Sequence, residues 1–175
     1  MDIRNKWFYL VFAAALAALD LLSKSWAFSL VSEKGTPLPF LGGEAGIEVV
    51  PGFFYLTRVY NAGGIWGIGQ DGSFSTALIA LRIAAVPLIL LFILKTDSQQ
   101  KRLLLALSLF CAGAIGNLYD NLMMDNRSVR DFLDFYIFGY HWPTFNIADS
   151  GITCGMCLLI LDLLIPKRAP ALTQS

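Results

Sequence analysis

Four long apolar stretches alternate with polar ones along the chain. They cover about residues 7–26, 74–94, 103–119 and 147–165. Each approaches the roughly 20 residues a helix needs to cross a hydrocarbon core, so the pattern predicts four transmembrane helices. Charges interrupt three of them: Asp20 and Lys24 in the first, Arg82 in the second, Asp149 and Asp162 in the fourth. Two connections are long and polar, residues 32–73 and 120–146, and the one between them, residues 95–102, is tight. In the first long connection, residues 47–60 are rich in β-branched and aromatic types around a Pro51-Gly52 turn dipeptide. That run predicts a small β element on the outer surface. Residues 61–64, Asn-Ala-Gly-Gly, follow it, and their glycines allow positive φ or close backbone approach.

Composition agrees with a membrane protein. Hydrophobic residues make up 56% of the 175 and charged ones 15%, against roughly 45–50% and 25% in soluble domains. Thirteen basic residues balance thirteen acidic ones, so nothing suggests electrostatic nucleic-acid binding. The first stretch does not read as a cleaved signal peptide, because Asp20 and Lys24 stand where small residues should mark the cleavage site. Cys111, Cys154 and Cys157 lie in apolar stretches. Without a second pair or a nearby His, they read as small residues that let helices pack closely.

Orientation follows from the basic residues. With a cytoplasmic amino terminus, Arg4, Lys6, Lys95, Lys101, Arg102, Lys167 and Arg168 lie inside. Lys24, Lys34, Arg58, Arg127 and Arg130 lie outside. The first group crowds into short tails and one tight turn, whereas the second is spread over long connections. Both termini are therefore expected in the cytoplasm. The outer ends of three spans then carry Asp20 with Lys24, Asn117 with Asp120, and Asn146 with Asp149. Ionisable groups at membrane depth are costly and mark function.

Asp131 and Asp134 sit in residues 129–135, which read as a segment dipping against the membrane, and Asp149 sits at the mouth of the fourth span. Two carboxylates meeting there resist ionising together, so one keeps a proton. That is the state an aspartic peptidase uses. A lone His141, read as an interface residue beside Trp142, leaves Ser-His and His-rich metal chemistry without partners. Asp162, ~20 Å further along the fourth helix from Asp149, reads as structural. A small proton-coupled transporter is the alternative, weakened by carboxylates gathered at one face and by the lack of a visible inverted repeat.

At these residues the chain resembles the lipoprotein signal peptidases (signal peptidase II). The similar segments, in order, are Asp20-Leu-Leu-Ser-Lys24, Asn61-Ala-Gly-Gly-Ile-Trp66, Gly113-Ala-Ile-Gly-Asn-Leu-Tyr-Asp120, Val129-Arg-Asp-Phe132 and Phe145-Asn-Ile-Ala-Asp-Ser150. The resemblance implies a mainly α membrane protein of four transmembrane helices with a small extracytoplasmic β-rich cradle, a single peptidase domain over residues 1–175. It implies an aspartyl endopeptidase of the bacterial inner membrane, cutting a prolipoprotein just before its diacylglyceryl-modified cysteine. The catalytic pair carries over to Asp131 and Asp149. Asn61, Gly63, Asn117 and Asn146 carry over as substrate-pocket or dyad-supporting residues, and Asp20, Lys24 and Asp120 as supporting or substrate-contacting ones. The implied partners are the prolipoprotein and membrane lipids, with no nucleic acid, metal or organic cofactor, and the chain is expected to act as a monomer. Asn121 departs from the pattern, standing where the family usually has Arg after the aspartate that Asp120 matches. The connection to Val129 is also longer than usual. Arg127 and Arg130 are the candidates to supply the missing charge.

Overall fold

The computed structural model describes residues 4–38, 44–62, 73–124 and 127–164. Four helices, α1 (Arg4–Lys34), α2 (Ser73–Lys95), α3 (Lys101–Met123) and α4 (Ile147–Leu164), are each long and apolar enough to cross a membrane. Their outward faces carry large apolar side chains such as Leu22, Leu81, Phe92 and Leu163, as lipid-facing surfaces must. The exposed rings of Trp7 and Trp26 on α1 stand about 28 Å apart along the axis, close to the ~30 Å of a hydrocarbon core. Amphipathic rings of this kind anchor a helix at the two interfaces.

Helix α1 continues eight residues beyond its predicted end at residue 26, to Lys34. The extension is held by packing. Ala27, Phe28 and Val31 form an apolar cluster with Leu56 and Phe132 of the sheet. At the other end, Ala13 and Ala17 of α1 pack with Ile93 of α2 and Leu104, Cys111 and Ala112 of α3.

The sheet has five strands: β1 (Thr36–Pro37), β2 (Ala45–Val50), β3 (Phe54–Asn61), β4 (Val129–Ile137) and β5 (Tyr140–His141). They lie in sequence order and pair antiparallel throughout. The expected β element is the β2–β3 hairpin, turning through Gly52 at φ 64°, where only glycine is unstrained. The membrane-dipping segment expected over residues 129–135 is instead strand β4, paired to β3 on one side and β5 on the other. Its apolar Phe132 and Leu133 face protein, on the C-terminal end of α1 and on β3, and not lipid.

Close helix contact falls to glycines more than to cysteines. A methyl group at Gly113 of α3 would come 2.5 Å from the Ala148 carbonyl oxygen of α4. On α4 the buried face carries Ala148, Gly151 and Gly155. Cys111 is buried as expected, but Cys154 and Cys157 lie exposed on α4. Gly151 and Gly155, four residues apart, are the small residues that face α3, a spacing common at membrane helix contacts.

Candidate active site

The C-terminal halves of α1 and α3 share a buried ion network with β4. Lys24 and Asp20 stand one turn apart on α1, and the Lys24 ammonium lies 2.7 Å from Asp20. It also lies 3.3 Å from Asp120 on α3 and donates to the Asn117 side-chain oxygen at 3.0 Å. Asp20 accepts from the Ala148 amide at 2.8 Å, which ties α1 to the first turn of α4. Gly116 makes room for it, since a methyl group there would collide with the Asp20 carboxylate. Asp120 accepts from Arg130 three times: from its backbone N–H at 3.0 Å, Nε at 3.1 Å and Nη2 at 2.7 Å. Arg130 reaches on to Ser25 at 3.1 Å. The network thus fixes where β4 leaves α3. Lys24 and Arg130, counted by sequence as outer-loop charges, are both buried in it.

Asn117 and Asn146 join this network to two further carboxylates. Asn117 donates to Asp149 at 2.8 Å, and Asn146 donates to Asp131 at 2.7 Å and to the Asn117 oxygen at 3.2 Å. Asn146 also caps α4. Its side-chain oxygen accepts from the Asp149 N–H at 2.9 Å, while the Asp149 carboxylate faces the Asn146 N–H at 3.3 Å. This reciprocal arrangement is a capping box. The spacing Asn146-x-x-Asp149 was a local signal for it that the sequence reading passed over.

Asp131 is held by the sheet. Val59 pairs with Asp131 and Asn61 with Val129, so Asn61 and Asp131 are diagonal neighbours on one face. Asn61 donates to Asp131 at 3.0 Å. A β-bulge between Leu56 and Val59 makes this possible. Without the extra residue, the register would turn Asn61 to the opposite face. Asp134, three residues along a regular strand, points to the other face. It is buried against His141 Nδ1 at 2.9 Å, so His141 serves as its partner.

The two carboxyls differ in environment. Asp131 is 1% exposed, whereas Asp149 is half-buried. Burial first, and then the negative charge of Asp149, push the Asp131 carboxyl up to about 7, against the opposing pull of Asn61, Asn146 and Lys24. The arrangement can hold one proton on a pair of acids and leave one carboxylate open to water.

Seven of the predicted site residues, Asp20, Lys24, Asn117, Asp120, Asp131, Asn146 and Asp149, are thereby linked, and Asn61 joins them through Asp131. Gly63 lies outside the described residues. Asp162 is remote, 3.8 Å from Arg102 near the other end of the helices. The sequence reading missed the roles of Ser25 and Arg130 in the network. Arg130, one of the two candidates for the missing charge, is held by Asp120, and a third cation, Arg82 of α2, donates from its Nη1 to the Asn121 side-chain oxygen.

The chain is similar to known proteins along most of its length. The family model described as Signal peptidase (SPase) II matches residues 12–165. A lipoprotein signal peptidase of Sulfurihydrogenibium sp. (strain YO3AOP1) is 35% identical over 165 residues, 91% of this chain and 93% of that protein. Those of Solibacter usitatus and Francisella tularensis subsp. novicida are each 38% identical, over 91% and 95% of this chain and 92% and 97% of theirs. Two solved structures titled as a bacterial membrane enzyme are similar at 29% identity. Their TM-scores are 0.71 and 0.73, covering 93% and 91% of this chain and 94% of each of theirs.

Proposed function

Because this chain belongs to the signal peptidase II family, we propose that it removes the signal peptide from diacylglyceryl-modified prolipoproteins. The cut falls just before the lipidated cysteine, and Asp131 and Asp149 do the chemistry. The observation that carries this reading is the pair itself. Two carboxyls from different elements are joined through Asn117 and Asn146, one buried and pushed up to about 7, the other half-buried.

The difference in burial supports a division of roles, with the buried Asp131 as the acid and the half-buried Asp149 as the base. Asp149 takes a proton from water as its oxygen attacks the scissile carbonyl carbon, and Asp131 gives its proton to the carbonyl oxygen. The tetrahedral diol then collapses. Asp149 passes its proton to the departing nitrogen, Asp131 recovers one from a diol hydroxyl, and the C–N bond breaks. The pair returns to its starting state. Only protons move, so the proposal calls for no metal or organic cofactor. Asn61 and Asn146 hold Asp131, while Asn117 and the capping box hold Asp149. Asp20, Lys24 and Asp120 support both from behind.

We place this site near the extracytoplasmic face of the inner membrane, with both termini cytoplasmic and the chain acting as one unit and a monomer. A lipid-modified precursor is already anchored in the bilayer, so its scissile bond meets the outer helix ends. Reporter fusions at Ser98 and Gln174 should both behave as cytoplasmic, and a translocated signal at either would overturn this orientation. The transporter alternative needs carboxylates near the midplane, whereas these stand where α1, α3 and α4 meet the sheet.

The test is cleavage of a synthetic diacylglyceryl lipopeptide by the purified chain, followed against pH. The pair loses the proton held by Asp131 as pH rises through about 7, so kcat/KM should fall on that side. Asn61 favours the charged form of Asp131. Asn61→Ala should therefore move the alkaline limb to higher pH, while costing about five- to tenfold in rate, the size of one hydrogen bond. A limb that moves to lower pH would contradict the assignment, and no cleavage by the wild type would end the peptidase reading.

A further inference from the structure

Arg82 is the single charged residue of α2 before Lys95, and it stands apart from the ion network. An arginine within a membrane span is costly unless it is used. Its Nη1 donates to Asn121, and Asn121 in turn donates to the Arg127 carbonyl oxygen at 2.7 Å. Asn121 is buried, so this clamp is fixed. Asn117, which holds Asp149, lies four residues earlier on the same face of α3. The guanidinium is therefore hung about one helical turn from the amide that holds the dyad. Its charge interacts with those of Asp149 and Asp131. Among the described residues, Nε and Nη2 of Arg82 make no hydrogen bond.

A groove of about 480 Å³ opens beside this clamp, lined by Ile79, Asn121, Leu122, Met123, Met124 and Arg127. Four of its lining side chains, Ile79, Leu122, Met123 and Met124, are apolar, and Asn121 and Arg127 are polar. Those four side chains offer a peptide's N–H and C=O groups no hydrogen-bonding partner. An acyl chain needs none. An ester carbonyl accepts hydrogen bonds and brings no donor of its own, which matches a guanidinium that only donates. We propose that Arg82 is a substrate-positioning residue, whose N–H groups not taken by Asn121 bind an ester carbonyl of the precursor's diacylglyceryl group and seat an acyl chain in this groove. The assignment rests on the peptidase reading for the identity of the substrate.

The test compares two lipopeptides of one sequence on the full-length chain in lipid nanodiscs. One carries the diacylglyceryl ester and the other a dialkyl ether lacking both ester carbonyls. The wild type should show a KM roughly tenfold lower for the ester, the size of one charge-assisted hydrogen bond. The same ratio should appear as Kd on the Asp149→Asn protein, where it does not depend on turnover. Arg82→Gln should bring both ratios close to one, and Arg82→Lys should recover part of the preference. A role in folding alone would lower yield or Tm without moving the ester-to-ether ratio. If Arg82→Gln does not fold, Asn121→Ala, which releases the clamp, should lower the ratio instead. Equal binding of the two by the wild type, or an unchanged ratio in Arg82→Gln, would overturn the assignment. Preferential ester binding by a wild type that cleaves neither would end the peptidase reading and leave the Arg82 assignment standing.

Discussion

Asp131→Asn and Asp149→Asn are each expected to lower turnover of a lipid-modified precursor by at least about a thousandfold. Asn is close to isosteric, so the helices and sheet should remain folded and inserted. What is lost is proton transfer and charge. Two carboxyls sharing one proton act as a unit, so the double variant should be no slower than either single one. Asp134→Asn is the internal control. Asp134 faces away from the pair, toward His141, and its variant should keep substantial turnover. Chelators should change nothing, because the proposed chemistry uses no metal. Normal processing by a well-expressed Asp149→Asn protein would sink the aspartyl mechanism. An inactive Asp134→Asn beside an active Asp131→Asn would show that the wrong acid had been chosen.

The second large effect is on stability. Lys24 is fully buried and its ammonium is shared by Asp20, Asp120 and Asn117. Lys24→Met leaves two buried carboxylates near one another, with Arg130 alone among the described residues to offset them. Breaking a buried ion pair from one side costs about 3–5 kcal/mol, mostly through the charge left behind. The variant should unfold at clearly lower temperature in detergent. Adding Asp20→Asn removes one orphaned charge, so the double variant should recover about 1–3 kcal/mol as a coupling energy. Lys24 also favours the charged form of Asp131, so any activity left in Lys24→Met should show its alkaline limb at higher pH. A Lys24→Met protein as stable as the wild type would mean that the network is ornamental.

The four spans were legible because a bilayer imposes a one-dimensional constraint. Each crossing needs a run of apolar residues long enough to satisfy its own backbone. The β2–β3 hairpin was legible through Pro51-Gly52, whose turn chemistry is local. The C-terminal extension of α1 was not, because residues 27–34 are helical through contact with β3 and β4, strands formed far along the chain. Strand β4 was misread for a related reason. Its apolar residues looked lipid-facing, but its partner β3 is separated from it by α2 and α3. The five short motifs point to residues that the structure brings together in one network, with Gly63 lying outside the described residues.

By itself, the sequence determined the number of spans, the polar residues that punctuate them and the family to which those residues point. Tertiary structure alone decided which way each side chain turns. The bulge in β3 brings Asn61 to the face of Asp131 while Asp134 faces away. Lys24 and Arg130, expected in loops, enter a buried network because Asp20 and Asp120 wait there on two helices. Arg82 meets Asn121, 39 residues distant, in place of the cations nearer in sequence. In each case the deciding partner is remote along the chain. A buried charge or amide is stable only where a complementary group from another element is already held within hydrogen-bonding distance.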